Sequence, residues 1–234
     1  MREDKKIFGL VLARGGSKTV PRKNIKELNG KPLMSYIIEE AKKSKYLKEI
    51  WVSSDDDEIL QVAGSLMVNT IRRPVELSSG TSKSIEAIQH FMESERVLAD
   101  HPCDIIVLLN ACCPLTTVED IDGAIELALE TGVDSVTSLV EDFSSHPSKV
   151  CYLVEGRIQP LGKEFITGER QKITPVYKRN TAIYLAEREL VEKGKLFSRN
   201  TKGYVMPKER SWDINDMWDW EVAEFLIRSV SLAE

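Results

Sequence analysis

The stretch Asp104–Leu109, DIIVLL, runs five apolar residues together without the alternation of a half-exposed strand. Such a run suits a strand buried on both faces, which implies a parallel sheet covered by helices on each side. Ile7–Ala13, IFGLVLA, repeats the pattern, and Glu49–Ser53, Val68–Arg72, Asp134–Leu139 and Ala182–Ala186 extend it. Between these lie segments of helical period: Leu33–Ser44, Asp57–Ser65, Ser82–Leu98, a helix from Thr117, and Trp218–Leu232. At Thr117 the tetrapeptide TVED reads as a capping box, and Ile121, Ala124, Ile125 and Ala128 fall on one helical face. Strand–helix alternation of this kind predicts an α/β fold with a mostly parallel sheet and helices on both faces.

The rhythm breaks between residues 140 and 176, where the chain is polar, turn-rich and short of apolar runs. An inserted subdomain of strands and turns that packs on a second chain is expected there. Otherwise residues 1–234 read as one domain, long enough to bury a core without disulfide staples. The charged start MREDKK does not resemble a signal peptide, and no apolar run approaches the ~18 residues of a membrane span, so a cytoplasmic protein is expected. Cys103, Cys112, Cys113 and Cys151 show no C-x-x-C spacing and His90, His101 and His146 are scattered, which argues against zinc. The adjacent Cys112 and Cys113 read as buried small apolar residues in a reducing compartment rather than as redox partners.

Net charge is -5, which speaks against a nucleic-acid or membrane-surface binder. Yet Leu12–Leu33, LARGGSKTVPRKNIKELNGKPL, holds six Lys or Arg and one acidic residue. Local positive charge in an acidic chain points to a small anionic ligand. The loop Arg14-Gly15-Gly16-Ser17-Lys18 follows the first strand, at the carboxyl end where open α/β sheets bind ligands. Two glycines let backbone N–H groups converge on an anion, while Arg14, Lys18 and Lys23 can neutralise a polyphosphate. The spacing is neither G-x-x-x-x-G-K-[ST] nor G-x-G-x-x-G, which excludes a P-loop and a dinucleotide fingerprint.

The window ARGGSKTVPRKNIKELNGKPL closely resembles the signature of the acylneuraminate cytidylyltransferases, the CMP-sialic acid synthetases. The resemblance continues through VSSDDDEI, RRPVEL, RQKITPVYKRNTAIY and DINDMWDWEVAE. It implies a Rossmann-like nucleotidyltransferase fold with a small inserted dimerisation subdomain, a homodimer, and transfer of CMP from CTP to a nine-carbon α-keto acid sugar. By the same resemblance Arg14 and Lys18 are the catalytic cations on the triphosphate. Gly15, Gly16, Ser17, Lys23 and Asn24 complete the cradle, and Arg73 and Ser82 serve the base pocket. Asn110, Arg170 and Tyr184 face the acceptor, while Asp213 and Asn215 hold Mg²⁺.

The chain departs from the family pattern in several places. Asn215 stands where the family has a second aspartate and supplies no charge, so that Asp216 becomes an alternative ligand or a helix cap. The run Asp55-Asp56-Asp57 is explained by a solvated loop and a helix N-cap more simply than by a metal. LNACCPLT places Asn110, Cys112, Cys113 and Thr116 where the family has Gln, Thr, Ser and Arg. Gly80 replaces an aspartate and Thr181 a glycine. A shorter, less polar lining fits a legionaminic- or pseudaminic-type acceptor. Two rivals stay open: another sugar nucleotidyltransferase on this fold, and a silent nucleotide-binding protein.

Overall fold

The structure, a computed structural model, describes residues 5–80, 82–94, 102–162 and 174–231. Its centre is a seven-stranded sheet in which β1 (Ile7–Leu12) pairs in parallel with both β4 (Leu47–Ser54) and β6 (Ile105–Leu109). β5 (Asn69–Arg72) extends the β4 edge in parallel. On the other side β10 (Tyr177–Glu187) runs antiparallel between β6 and β7 (Ser135–Glu141), and β11 (Lys202–Val205) closes that edge parallel to β7. The order is β11-β7-β10-β6-β1-β4-β5. The expected mostly parallel sheet is present. The reversed β10 and the short β11 were not foreseen, because strand direction leaves no trace in local hydropathy.

Neighbouring side chains of β1 feed opposite cores. Phe8 and Leu10 join Trp51, Ile88, Phe91 and Ile106 under α3 (Ser84–Glu93) and α5 (Arg188–Glu192). Ile7 and Val11 enter the opposite core with residues of α1 (Leu33–Ala41), α2 (Asp57–Ser65) and α4 (Val118–Thr131). That two-sided burial is why DIIVLL carries no polar alternation, and all five β6 residues are buried. α4 starts with the Thr117–Asp120 capping box and buries Ile121, Ala124, Ile125 and Ala128 as its spacing requires. The third helix is shorter than its pattern suggested: it spans Ser84–Glu93, and residues 95–101 lie outside the described part. α6 (Met217–Ser231) seats Trp220 and Ala223 on Val20, Leu28 and Leu33, tying the chain's last helix to the segment after β1. A two-residue ladder, β2 (Glu27–Leu28) with β3 (Lys31–Pro32), shapes that segment.

Within residues 140–176 the described part holds an antiparallel hairpin, β8 (Cys151–Val154) with β9 (Arg157–Pro160). Tyr152, Leu153, Val154 and Ile158 are all exposed there. No helix among the described residues is long and apolar enough to cross a membrane.

Candidate active site

Three strands end at one cavity of about 320 Å³: Leu12 at the end of β1, Arg73 just beyond β5 and Asn110 just beyond β6 all line it. Its size is within the range of small-molecule sites. Arg14, Lys23, Arg73 and Lys83 contribute four cationic side chains to the wall, and no carboxylate is among the lining residues. Ser78, Ser79, Ser82 and Ser84 add hydroxyls, and Leu77 and Ala87 an apolar floor. Lys83 and Ser84 also mark the start of α3, so that helix turns its N-terminus toward the cavity. Orphan N–H groups and the helix dipole favour an anion at such an end.

The loop after β1 is held by groups that the glycines make room for. Gly15 N–H donates to Asp55 Oδ1 at 3.1 Å. A Cβ on Gly15 would come within 2.7 Å of Asp56 Oδ2, so only glycine fits. Asp56 is itself fixed: its carboxylate accepts from Ile59 N–H as the N-cap of α2 and pairs with Arg22. That hydrogen bond to Arg22 holds the Asp56 carboxyl below the usual carboxylate range, against the opposing effect of burial. Asp57 pairs with Arg72. The acidic run therefore serves as cap, loop anchor and ion-pair partner.

Asn24 is buried and donates from Nδ2 to the Arg14 carbonyl at 3.0 Å, while Arg14 reaches across to the Ser79 carbonyl at 3.0 Å. Arg73 is 4% exposed; its Nε donates to Ser78 Oγ at 2.9 Å and its guanidinium lies 4.0 Å from Asp55. Burial pulls this guanidinium below its ordinary range; Asp55 counters that and the nearby Arg14 adds to it. Ser82 belongs to the hydroxyl network with Ser79 and the Glu76 carbonyl. Gly80, where an aspartate would place a negative charge, faces Arg14 instead: an added Cβ would lie 3.8 Å from the guanidinium.

Across the cavity, Asn110 and Cys112 of the loop after β6 form the lining, and the loop before α6 packs behind them. Lys23 Nζ donates to the Ile214 carbonyl at 2.8 Å, Ile214 N–H donates to the Cys112 carbonyl at 2.9 Å, and the Thr19 hydroxyl donates to the Asn215 carbonyl. Asp213 is half-buried; Asn215 is exposed and turns its Nδ2 onto the Asp213 carboxylate at 3.2 Å. Asp216 caps α6 by accepting from Asp219 N–H at 3.0 Å, and the Asp219 carboxylate accepts in turn from the Asp216 N–H. Arg210 fastens this loop from behind with a two-pronged contact, 2.7 and 2.8 Å, to Asp120, which is fully buried in the first turn of α4.

Cys112 forms part of the cavity wall, and its Sγ lies 3.0 Å from Asn110 Oδ1. Cys113 is fully buried, 4.0 Å from Asp213 Oδ1 and 3.8 Å from Thr181 Oγ1. Contact with Cys112, then burial, hold its thiol well above the ordinary range. Thr181 itself has φ 64, a left-handed backbone that a β-branched residue resists. It lies where the ladder between β10 and β7 shifts register, a position whose backbone favours glycine. Tyr184 is half-buried, edge-on to Phe197 at 5.7 Å, and burial raises its phenol.

Of the residues singled out in sequence, Arg14, Ser17, Lys23, Asn24, Arg73, Ser82 and Asn110 line one cavity. Gly15 and Gly16 shape the loop without lining it, and Lys18 is exposed outside the lining. Tyr184, Asp213 and Asn215 stand outside the lining as well. Arg170 lies outside the described residues. Lys83 and the anchoring role of Asp55 were missed; the Ser-rich run SSGTSKS before an amphipathic helix carried the first signal, while nothing local marked the second.

A family model for cytidylyltransferases matches residues 8–199. N-acylneuraminate cytidylyltransferase A of Danio rerio is 33% identical over 95% of the chain, which spans only 51% of that relative's length. The pseudaminic acid cytidylyltransferase of Campylobacter jejuni is 30% identical, with 94% of this chain and 95% of the relative covered. Post-translational flagellin modification protein B of Campylobacter coli is 28% identical over 97% of both. Among solved structures, a CMP:2-keto-3-deoxy-manno-octonic acid synthetase complexed with CTP superposes with a TM-score of 0.73 at 16% identity, covering 96% of this chain and 99% of the other. A 4-diphosphocytidyl-2C-methyl-D-erythritol synthase from Anaerococcus prevotii gives 0.66 at 13% identity, with 96% of each chain covered; at such identities the likeness bears on the fold. A cationic cavity at the strand ends, the fold around it and a family match across most of the sequence converge: the chain belongs to the cytidylyltransferase family.

Proposed function

We propose that this protein transfers CMP from CTP to the anomeric hydroxyl of an acidic nine-carbon α-keto sugar. The observation that carries the reading is the nucleotide-sized cavity walled by Arg14, Lys23, Arg73 and Lys83 with no carboxylate, in a chain of net charge -5. A triphosphate is the ligand that best repays four converging cations. In the reaction the sugar oxygen attacks the α-phosphorus, its bond to phosphorus forms as the bond to the β-phosphate oxygen breaks, pyrophosphate leaves, and the hydroxyl proton passes to solvent or a base. Arg14 and Lys23 neutralise charge on the phosphates, with Lys18 swinging in from the same loop. Arg73 and the Ser82 network orient the base, and Asn110 and Tyr184 face the acceptor.

Mg²⁺ fits the site through Asp213. Its half-buried carboxylate is one oxygen donor set, and Mg²⁺ takes one or two carboxylates with nucleotide phosphates completing the shell. Asn215 holds that carboxylate, and Asp216 is engaged as a cap. When bound, the ion adds positive charge where the phosphates become more negative.

The short side chains at Asn110, Cys112 and Cys113 favour a legionaminic- or pseudaminic-type acceptor over the larger polar contacts of ordinary N-acetylneuraminate. A second copy of the chain covers the exposed hairpin β8–β9, since a two-stranded ribbon with four exposed apolar side chains is marginal alone. Free thiols at all four cysteines suit the cytoplasm. Incubation of the full chain with Mg²⁺, each of CTP, UTP and ATP, and a panel of nonulosonates, read by pyrophosphate release and product mass, tests the proposal. A CMP-nonulosonate formed from CTP is the expected result. CTP binding without pyrophosphate from any sugar acid would overturn it, as would preference for another nucleotide.

A further inference from the structure

At the β6 side of the cavity, Cys112 on the lining and Cys113 and Asp213 behind it form a donor set whose two thiols CMP transfer does not require. The Cys112 and Cys113 sulfurs and a carboxylate oxygen of Asp213 all lie within 4.8 Å of one another, the sole such trio among the described residues. Successive residues of an extended chain point apart, but here the chain turns immediately after β6. Cys113 N–H donates to the Asn110 carbonyl at 3.1 Å and Thr116 N–H to the Cys113 carbonyl at 3.2 Å. The turn brings both sulfurs onto one side, against the loop that Ile214 N–H pins to the Cys112 carbonyl. Cys113 lies at the bottom of the cluster, buried, and Cys112 at its top, on the cavity wall.

Tetrahedral zinc with sulfur at about 2.3 Å and oxygen at about 2.0–2.2 Å separates neighbouring donor atoms by roughly 3.4–3.8 Å. Cys113 Sγ and Asp213 Oδ1, at 4.0 Å, are already close to that. Small side-chain rotations close the rest. Mg²⁺ has no affinity for sulfur, so the two thiols discriminate in favour of a soft ion. We propose that Cys112, Cys113 and Asp213 form a binding site for one thiophilic divalent cation, Zn²⁺ or Cd²⁺, with the fourth position open to the cavity. On binding, the ion takes the place of the two thiol protons, which pass to solvent. Because Asp213 also belongs to the proposed Mg²⁺ position, a soft ion bound here excludes Mg²⁺ and blocks transfer. The site goes beyond the transferase reading and stands or falls separately, since ion binding needs neither nucleotide nor sugar.

The test titrates the reduced, metal-free full chain with Cd²⁺ and follows the ultraviolet thiolate-to-cadmium charge-transfer band. One ion per chain is expected. Cys112→Ser and Cys113→Ser each weaken binding by roughly tenfold or more, and the double variant loses the band. Cys103→Ser and Cys151→Ser bind as the parent does. Should Cys113→Ser fail to fold, the parent still decides: Zn²⁺ should shield the partly exposed Cys112, but not the exposed Cys151, from alkylation mapped by mass spectrometry. No band, a band that survives the double variant, or equal alkylation with and without Zn²⁺ would each overturn the site.

Discussion

The two walls of the cavity are made in different ways. The wall from β1, β5 and the start of α3 is dense in charge and locally anchored: Gly15 against Asp55 and Asp56, Asn24 on the Arg14 carbonyl, Arg73 on Ser78. On the β6 side only Asn110 and Cys112 among the described residues line the cavity; the Cys113 thiol and the Asp213 carboxylate lie behind them, and long-range ties hold this layer, above all Arg210 to Asp120. A wall suited to a fixed chemical group, such as the proposed polyphosphate, can be specified by a short motif. The side on which the proposed acceptor would sit is assembled from distant segments.

The sharpest way to break this contrast is to remove the buried cation of the first wall. Arg73→Ala should lower kcat/KM by about 10²–10³-fold, the usual consequence of losing a preorganised donor. Arg73→Lys keeps the charge but loses the planar fork, and should recover only part. Thermal unfolding of both variants separates lost binding from lost packing, because the aliphatic stem of Arg73 is buried too. Undiminished transfer by a folded Arg73→Ala protein would show that charge density is not what distinguishes this wall.

A smaller effect tests how the second wall is held. Asp120 is fully buried and takes two hydrogen bonds from Arg210 as well as those of its capping box. Arg210→Ala leaves that carboxylate without its cation. Breaking a fully buried pair costs about 3–5 kcal/mol, and because Arg210 is partly exposed roughly 2–3 kcal/mol is expected here, read by denaturant titration. The loop carrying Asp213 should loosen with it, so the Mg²⁺ concentration needed for half-maximal transfer should rise. Unchanged stability would mean that α4 and the Asp213 loop are joined by something else.

The same contrast governs how much the sequence revealed. The first wall was legible because its chemistry is contiguous: Arg14 through Asn24 lie in one window, and Arg73 and Ser82 sit close together in the chain. The buried strands were legible for the same reason, since two-sided burial writes itself as DIIVLL. The second wall was not. Asp120 looked like an ordinary capping residue, and its partner is 90 positions away. Cys112 and Cys113 read as apolar filler until the turn after β6 set them against Asp213. The antiparallel β10 was invisible because a buried strand has the same composition in either direction. Asp216 resolved as the cap of α6 only once its bond to Asp219 fixed where the helix begins.

Thr181 offers the finest probe of the second wall. Its φ of 64 places a β-branched residue in the left-handed region, at a cost of about 1–2 kcal/mol for a residue with a Cβ. Glycine removes that cost but gives back roughly 0.5–1 kcal/mol in unfolded-state entropy, and the hydroxyl's long contact with Cys113, 3.8 Å, is too weak to matter. Relief of the backbone strain outweighs the entropy, so Thr181→Gly should stabilise the protein by about 0.5–1 kcal/mol, a shift of a few degrees in Tm. If the threonine is held in this strained backbone to set the acceptor wall, the more stable variant should also show a changed KM for the sugar with an unaltered KM for CTP. A loss of stability would mean that the bulge in β10 is maintained by contacts of the Thr181 side chain rather than in spite of them.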